Sequence, residues 1–395
     1  MNQTTIFDFI YPKYKITKPI RLIETFSGYG SQALALKYLG VEFEHWKTCE
    51  WAIKSIQAYK DIHFTNDTKE ISMSKDEMID YLYNKGISSN YNEPMTKNQI
   101  SRLNEKQLKT IIENIEITHN LVNIQQVKGQ DLEIIEKEQY EYILTYSFPC
   151  QDLSLAGKGK GMADTSTRSG MLWEVERILN ELKTTNSLPQ ILLMENVPQV
   201  HGTGNVEHFN KWQLALEKLG YKNYFQDLIA TDYEIPQTRN RCFMVSILGE
   251  YSYTFPKPIP LKLKLKDMLE DNVDEKYYLP EKYYKNIEYY EENKNQIAYL
   301  NYSKQEQSNR VWNIENVSPT LCASYRANDY LQNIKIKIDN KIRVLTCKES
   351  FRLMGVKDED YENVAKNQSD SSLYHLAGDS IVVNVLMAIF KELIK

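Results

Sequence analysis

The sequence predicts an α/β fold built on a parallel sheet with helices on both faces, together with a smaller, irregular second domain. Three observations predict it. Short apolar runs typical of buried strands alternate with helical segments along residues 20–249. The first run leads through a glycine turn into a helix. Beyond Gly249 the chain becomes rich in proline, charge and tyrosine, which indicates a domain boundary.

The first strand is predicted over 20–25. It continues through Phe26-Ser27-Gly28-Tyr29-Gly30 into a helix over 31–39 that ends at Gly40. The glycines let backbone amides approach a nucleotide-like ligand at the helix N-terminus. The turn lacks the third glycine of the dinucleotide fingerprint, which favours S-adenosylmethionine over a nicotinamide cofactor.

A second strand is predicted near 44–49, and it ends at Glu50 and Trp51. A carboxylate about twenty residues past the turn glycines commonly binds ribose hydroxyls. In this interpretation Glu50 binds the ribose and Asp131 accepts a hydrogen bond from the adenine amino group. A solvated surface charge is the alternative for Glu50.

Residues from about 66 to 127 are polar and favour helices near 74–83 and 100–121. We interpret this segment as an insertion rather than a new core, and assign it no chemistry. The strand pattern then resumes. The later strands are predicted at Asp131-Leu132, 142–148, 191–194 and 241–247, with a helix around 210–219 and a last apolar helix over 381–393 that packs on the first domain.

Pro149-Cys150-Gln151 directly follows the predicted strand 142–148. The cysteine therefore lies on the rim where α/β sheets assemble their reaction centres. The basic, glycine-rich segment 157–170 that follows is typical of a loop that closes over a substrate, and its charge favours an anionic polymer. A buried structural thiol is the alternative for a lone cysteine.

Glu195 ends the predicted strand 191–194 and is a candidate proton donor for the Cys150 reaction. A free thiol with a pKa of about 8.5 is mostly protonated at neutral pH, so attack on a substrate needs assistance. If the substrate is a pyrimidine, protonation of N3 during addition of sulfur to C6 makes C5 carbanion-like, and a methyl sulfonium is then an adequate electrophile. We expect burial to raise the pKa of Glu195.

Gln237, Arg239 and Arg241 alternate along an extended segment and are predicted to face one side. Two arginines on one face favour oxygen anions. One could bind a base carbonyl or a phosphate while a carboxylate holds the other. A surface strand with ordinary salt bridges is the alternative.

The length, net charge and cysteine content of the chain limit the class of protein. A chain of 395 residues exceeds one ordinary core, so two domains are expected. Its net charge of −5 argues against nonspecific coating of nucleic acid, although a local basic face suffices for DNA binding. The five cysteines form no CxxC pair, so we expect no zinc site and no disulfide framework. No run of about 18 apolar residues occurs, and a cytoplasmic protein without a membrane segment is expected.

Taken together and in this order, the segments resemble the C5-cytosine DNA methyltransferases, over about residues 20–395. The motifs that carry the resemblance are Phe26-x-Gly28-x-Gly30, Pro149-Cys150-Gln151, Glu195-Asn196-Val197, Gln237-x-Arg239-x-Arg241, Pro319-Thr320-Leu321, Arg343-x-Leu345-Thr346 with Glu349, Arg352-Leu353 and Gly355, and Gly378-Asp379-Ser380. The resemblance implies a Rossmann-like S-adenosylmethionine-dependent methyltransferase sheet. It further implies a catalytic domain over 1–249, a target-recognition domain over 250–340, and a return to the catalytic domain over 341–395.

The resemblance also assigns roles. Cys150 would be the nucleophile, Glu195 the acid at N3, and Arg239 a contact to the cytosine O2 region. Arg241 would be a structural partner, and Asn196 would help to hold the site. The implied cofactor contacts are Phe26, Gly28, Tyr29, Gly30, Glu50, Trp51, Asp131, Leu132, Pro149, Asp379 and Ile381. The implied DNA contacts are Gln151, Ser154, Lys158, Lys160, Arg168, Gln237 and Thr320.

Asp379 departs from the family pattern, because many members have asparagine there. An acidic group near the cofactor's carboxylate is unfavourable unless it faces the ammonium. The implied substrate is double-stranded DNA with the target cytosine flipped out of the helix, since both faces of C5 and C6 cannot be reached inside a duplex. The layout is similar to mollicute-type enzymes that methylate CG, but those features lie outside the predicted reader region.

The expected partner besides DNA is a cognate restriction endonuclease, as a genetic rather than a physical partner, and the chain is expected to be a monomer. Three alternatives remain open. They are a transfer RNA cytosine-5 methyltransferase on the same scaffold, a noncatalytic DNA-binding relative, and a dinucleotide oxidoreductase that uses Cys150 for redox work. The last lacks a resolving cysteine and the full glycine fingerprint.

Overall fold

The computed structural model describes residues 11–148, 169–280, 287–293, 296–300, 310–325 and 332–394. The predictions for Pro149, Cys150, Gln151, Ser154, Lys158, Lys160 and Arg168 lie outside the described residues. The chain divides into two compact units. The first comprises Met1–Leu228, Asn240–Pro256 and Leu386–Lys395, and the second comprises Ile229–Arg239 and Lys257–Val385.

These units differ in extent from the predicted domains. The second unit takes up the chain at Lys257, close to the predicted boundary at 250, but the return to the first unit begins at Leu386 rather than at 341. The division into compact units does not show which unit recognises DNA, so the functional domains remain a prediction. The assignment of the last ten residues to the first unit agrees with the predicted packing of the final helix.

Eleven strands and eleven α-helices are present in the described residues. The strands are β1 (Ile20–Thr25), β2 (Phe43–Cys49), β3 (Glu141–Tyr146), β4 (Ile191–Asn196), β5 (Tyr221–Ile229), β6 (Asn240–Leu248), β7 (Ile287–Asn293), β8 (Gln296–Leu300), β9 (Arg310–Trp312), β10 (Lys335–Ile338) and β11 (Lys341–Val344). The helices are α1 (Ser31–Tyr38), α2 (Ile53–His63), α3 (Lys75–Lys85), α4 (Lys97–Ser101), α5 (Glu105–Ile117), α6 (Leu172–Thr184), α7 (Val206–Leu219), α8 (Cys347–Arg352), α9 (Asp358–Ala365), α10 (Asp370–Asp379) and α11 (Val383–Leu393).

The first unit is built on a six-stranded sheet with the order β2-β1-β3-β4-β6-β5. The pairs β1–β2, β1–β3 and β3–β4 are parallel, as predicted. Every residue of β1, β3 and β4 is buried, which is typical of strands covered on both faces. The carboxyl ends of these strands therefore meet at one edge of the sheet.

The prediction of a parallel sheet is wrong for β6, which pairs antiparallel with β4. In this register Asn196 lies opposite Cys242 and Glu195 opposite Phe243. The first residues of β6 therefore lie beside the last residues of β4. Periodicity alone cannot give strand direction, because an apolar run is equally buried in either orientation.

Two local predictions also differ from the structure. Asp131 and Leu132 belong to a 3-10 helix, Gly129–Leu132, rather than to a strand. The Asp131 carboxylate accepts a hydrogen bond from the Lys128 amide at 2.8 Å, and this local capping competes with extended structure. Strand β5 was not predicted because most of its residues are polar or only partly buried.

The insertion contains α3, α4 and α5, each beginning with a capping box, at Ser74, Thr96 and Asn104. The prediction that it forms no core is wrong. Apolar residues of these helices pack with α2 residue Ile56 into a cluster of their own. The cluster comprises Ile56, Met78, Ile79, Leu82, Ile87, Met95, Ile100, Leu108, Ile111, Ile112, Ile115 and Val122.

The second unit contains a five-stranded sheet with the order β11-β10-β9-β8-β7. A buried ion pair joins Arg343 of β11 to Glu349 of α8, with Nη2 and Oε1 separated by 2.7 Å. Two parallel contacts of this kind fix the strand and the helix geometrically. Among the described residues, the stretch Asp370–Leu393 is long and apolar enough to cross a membrane, but 67% of it is buried, as in core helices of soluble proteins.

Candidate active site

The loop after β1 has an unusual backbone. Phe26, Gly28 and Gly30 have φ values of 56°, 53° and 82°. A Cβ atom on Gly30 would lie 2.4 Å from Nε2 of His63, so only glycine fits there, whereas a Cβ atom on Gly28 would meet nothing within 4 Å. The loop is therefore packed tightly at Gly30 and faces open space at Gly28, which is the side where a ligand could approach.

Glu50 lies directly beside this loop. One carboxylate oxygen accepts a hydrogen bond from the Gly28 amide at 3.1 Å, and the other accepts from the Ala52 amide at 2.8 Å. The backbone of Glu50 is held in turn by the side chain of Asn120, which bonds both its amide and its carbonyl. Asn120 was not predicted, because it lies 70 positions away in the insertion and no local motif marks it.

Glu24, the fifth residue of β1, is buried below the loop and orients the start of α1. Its carboxylate accepts hydrogen bonds from the Tyr59 hydroxyl at 2.5 Å and from the Ala33 amide at 3.3 Å. Burial raises the pKa of Glu24 to about 7. His45 bonds the same hydroxyl at 2.8 Å, and its burial lowers its pKa to about 4.

The described part of the loop fits a small polar ligand. Ser27 Oγ is buried and has no hydrogen-bond partner among the described residues. The open side of Gly28 and the carboxylate of Glu50 lie next to it. Tyr29 departs from its predicted contact, because its side chain is 1% exposed and only its backbone could face a cofactor.

The end of β4 carries the second polar group. Glu195 is 8% exposed, and its Oε1 lies 3.2 Å from Nε of Arg241 at the start of β6. Asn196 donates from Nδ2 to the carbonyl of Phe148 at 2.9 Å, and its Oδ1 accepts from the Val197 amide at 2.8 Å. Phe148 immediately precedes Pro149-Cys150-Gln151, so Asn196 holds the chain where that motif begins.

The two arginines have different environments. Arg239 is 4% exposed and donates to the carbonyls of Leu321, Gly378 and Ser380 at 3.0, 3.1 and 2.7 Å. These bonds tie Arg239 to carbonyls of the second unit, and its contact with the base stays a prediction. Arg241 is instead the arginine that accompanies the catalytic candidate Glu195.

Gln237, for which a DNA contact was predicted, lies inside the second unit, and that contact stays a prediction. Its side chain is fully buried, donates to the Leu353 carbonyl at 2.7 Å and accepts from the Leu321 amide at 3.0 Å. The chain passes from the second unit to the first between Arg239 and Asn240, so Gln237 and Arg239 belong to one unit and Arg241 to the other.

The remaining predicted contacts are placed as follows. Asp131 is partly exposed, while Leu132 is buried and its carbonyl accepts a hydrogen bond from Trp46 at 2.9 Å. Trp51 is partly exposed and packs against the cluster of the insertion. Three predicted contacts lie in the second unit. There Asp379 is exposed and Ile381 is buried. The Thr320 hydroxyl donates to the Thr238 carbonyl. Their roles stay predictions.

A mainly parallel sheet with a glycine loop after β1, a carboxylate after β2 and another at the end of β4 defines the class as a Rossmann-like methyltransferase fold. Solved structures agree on the fold. The Dnmt2 methyltransferase of S. pombe superposes with a TM-score of 0.60 at 16% identity, covering 94% of this chain and 97% of that one. DNMT2 of Spodoptera frugiperda gives 0.59 at 18% identity, covering 94% and 98%.

Sequence comparison narrows the class to a family. The family model described as C-5 cytosine-specific DNA methylase matches residues 83–395. The orphan methyltransferase M.SssI of Spiroplasma monobiae is 36% identical over 389 residues, or 95% of this chain and 98% of that protein. The type II methyltransferase M2.ScrFI of Lactococcus lactis subsp. cremoris is also 36% identical, covering 95% and 99%. The chain belongs to the C-5 cytosine-specific DNA methylase family.

Proposed function

We propose that this chain is a DNA (cytosine-5-)-methyltransferase that modifies C5 of a cytosine within a specific sequence of double-stranded DNA. The observation that carries the proposal is the cluster at the end of β4. There Glu195 is paired with Arg241, and Asn196 bonds the carbonyl of Phe148, two residues before Cys150. Family membership supplies the substrate class, and this cluster supplies groups suited to it.

In the proposed reaction the Cys150 sulfur adds to C6 of the flipped cytosine while Glu195 delivers a proton to N3. Electron density then rises at C5, which accepts the methyl group. Water then removes the C5 proton, the bond between C6 and sulfur breaks to release Cys150 as a thiolate, and the proton on N3 returns to Glu195. Arg241 keeps the Glu195 carboxyl oriented, and its remaining donors are available to the base carbonyl at O2.

The proposed cofactor is S-adenosylmethionine, which when bound supplies an electrophilic methyl group. Glu50 would take the ribose hydroxyls, and the open side of Gly28 would admit the ligand to the loop amides. The buried hydroxyl of Ser27 would gain a partner there. Asp131 keeps one carboxylate oxygen for the adenine amino group, since the other accepts from the Lys128 amide.

We propose that the enzyme acts in the cytoplasm as a monomer, and that the basic segment around Lys158, Lys160 and Arg168 contacts DNA phosphates. Extrusion of the base costs a few kcal/mol, to be recovered from pocket and phosphate contacts. Two relatives are named as an orphan and as a type II methyltransferase. A cognate restriction endonuclease is therefore proposed only as a genetic partner.

The test is bisulfite sequencing of plasmid DNA from cells that express the chain, with Cys150→Ser as the matched inactive control. The expected result is conversion-resistant cytosine in one sequence context for the wild-type protein and in none for the variant. Parallel assays of the purified protein on duplex DNA and on transfer RNA, with radiolabelled S-adenosylmethionine, separate the proposed substrate from its main alternative. Labelling of transfer RNA alone would overturn the DNA assignment.

A further inference from the structure

Three side chains with metal-ligating atoms converge next to the catalytic edge of the sheet. They are His201, Asp227 and Cys242, and their donor atoms all lie within 4.8 Å of one another. The His201 Nε2 and Asp227 Oδ1 atoms are already 2.9 Å apart. The proposed methylation chemistry uses none of the three.

The three residues come from different parts of the first unit. His201 ends the 3-10 helix Pro198–His201 that follows β4, Asp227 lies on β5, and Cys242 lies on β6. Cys242 is directly opposite Asn196 in the β4–β6 register. Because the segments are far apart in sequence, no CxxC or similar spacing marks them, and the expectation of no metal site was based on that spacing alone.

The arrangement is close to what a tetrahedral ion requires. Zinc binds nitrogen and oxygen at about 2.0 Å and thiolate sulfur at about 2.3 Å, which places tetrahedral ligand atoms roughly 3.5 Å apart. Lengthening the His201–Asp227 contact slightly and drawing the Cys242 sulfur inward would reach this geometry. Such shifts are within the range of side-chain rotation.

Burial also fits a site with one open position. The His201 and Asp227 side chains are 30% and 31% exposed, so water can reach one side. Cys242 is fully buried and closes the other side. The rings of Phe209 and Phe225 lie 6.0 and 5.6 Å from the His201 ring and restrict its orientation.

We propose that His201, Asp227 and Cys242 form a binding site for a transition-metal dication of the zinc class, with water as the fourth ligand. On binding, the Cys242 sulfur forms a bond to the metal and its proton passes to solvent. The ion joins the segment after β4 to strands β5 and β6. It thereby stabilises the start of β6, where Arg241 pairs with Glu195.

Cobalt(II) is the probe for the first test, because thiolate coordination gives it a near-ultraviolet charge-transfer band and tetrahedral coordination gives intense visible bands. Full-length, metal-stripped protein is titrated with CoCl₂. The expected result is one equivalent with both signatures, displaced by one equivalent of ZnCl₂. Absence of the charge-transfer band, or its presence without tetrahedral visible bands, would overturn the proposal.

Cys242→Ser should lose the charge-transfer band, and Asp227→Asn should weaken binding at least tenfold. Cys322→Ser is the matched control, because Cys322 is exposed and lies outside the cluster, and it should bind as the wild type does. Equal binding by Cys242→Ser and the wild type would refute the site and assign the signal to another thiol. This measurement does not depend on methyl transfer, so it stands apart from the proposed function.

A thermal test covers the case in which a variant folds poorly. Saturating zinc should raise the Tm of the wild type and of Cys322→Ser by roughly 5 °C, because a ligand that binds only the native state stabilises it by mass action. The Tm of Cys242→Ser and of His201→Asn should not respond. An equal rise in all four proteins would indicate adventitious binding and contradict the proposal.

Discussion

Nε of Arg241, on β6, lies 3.2 Å from Oε1 of Glu195, on the neighbouring strand β4. Because β6 runs antiparallel to β4, the beginning of one meets the end of the other, and the guanidinium reaches the carboxylate at the edge of the sheet. The Glu195 side chain is 10% exposed and that of Arg241 is 17% exposed, so solvent screens the pair only weakly. This pair is the centre of the proposed catalytic machinery.

Glu195→Gln should lower the single-turnover rate of methyl transfer by roughly 10²-fold or more, the usual effect of losing a proton-transfer group. The amide keeps the size of the side chain and can still accept from Arg241, so folding should be preserved. Rapid-quench kinetics with labelled S-adenosylmethionine measures the rate, and circular dichroism controls for structure. A wild-type rate in the variant would remove Glu195 from the proton-transfer role.

Arg241→Met should mainly affect the catalytic rate, whereas Arg239→Met should mainly affect stability. Loss of Arg241 should reduce the catalytic rate at a smaller cost in the free energy of unfolding, because its contacts with Glu195 and Asn240 lie at the edge of the sheet. Loss of Arg239 leaves three carbonyls of the second unit without their donor and should cost about 2–4 kcal/mol. Urea denaturation with single-turnover assays separates the two. Similar stability losses in both variants would contradict the assignment.

Cys150→Ser should abolish turnover, because a serine hydroxyl is far less nucleophilic than a thiolate at neutral pH. DNA that carries 5-fluorocytosine in the target sequence provides the direct assay. The fluorine cannot leave as a cation, so the adduct persists and is seen as a covalent complex by denaturing gel. The wild type should form the complex and the variant should not, whereas sequence-specific binding by gel shift should survive in both. A complex with the variant would refute the nucleophile assignment.

Gly30→Ala should be far more damaging than Gly28→Ala. At Gly30 the new methyl would meet the His63 and Tyr59 rings at 2.4 and 2.6 Å, and the backbone is left-handed. At Gly28 the backbone is also left-handed but the space is open, so we expect a cost of only about 1–2 kcal/mol. Calorimetric titration with S-adenosylmethionine and thermal unfolding measure both effects. Equal behaviour of the two variants would mean that packing at Gly30 is not the constraint.

Glu24 should make stability depend on pH in a defined direction. Its pKa is raised from 4.5 to about 7 in the folded state, so the folded protein holds this proton more tightly than the unfolded chain. The resulting stabilisation is present below pH 4.5 and is lost as the pH rises through about 7. The free energy of unfolding of the wild type, relative to Glu24→Gln, should therefore fall across this range by roughly 3 kcal/mol at most.

The neighbouring His45 and His63 are present in both proteins, so their titration cancels in this comparison. Urea denaturation at several pH values between 4.5 and 8 measures the difference. A difference that stays constant, or that rises with pH, would show that the Glu24 carboxyl is ionised throughout.

Much of the first unit could be predicted because its signals are local. The apolar run 20–25, the glycine turn and the helix after it were all found where the structure has β1, the loop and α1. Glu50 follows β2 and Glu195 lies at the end of β4, and parallel strands present their carboxyl ends at one edge. The motifs, taken in order, also identified the family that the comparisons confirm.

The predictions that failed concern features that are set by long-range packing. An apolar run does not reveal strand direction, so the antiparallel orientation of β6 was not predicted, nor was the pairing of Arg241 with Glu195 that follows from it. Alternation along 237–241 predicts three side chains on one face, but it did not predict that Gln237 and Arg239 are buried.

By itself, the sequence determined the class of fold, the family and the positions that carry polar groups, because these depend on neighbouring residues and on motif order. Only the tertiary structure decided which arginine meets Glu195, that Asn120 holds Glu50, and that His201, Asp227 and Cys242 converge. Each of those contacts joins segments that are distant along the chain. Their meeting is set by strand direction and packing, which no local pattern encodes.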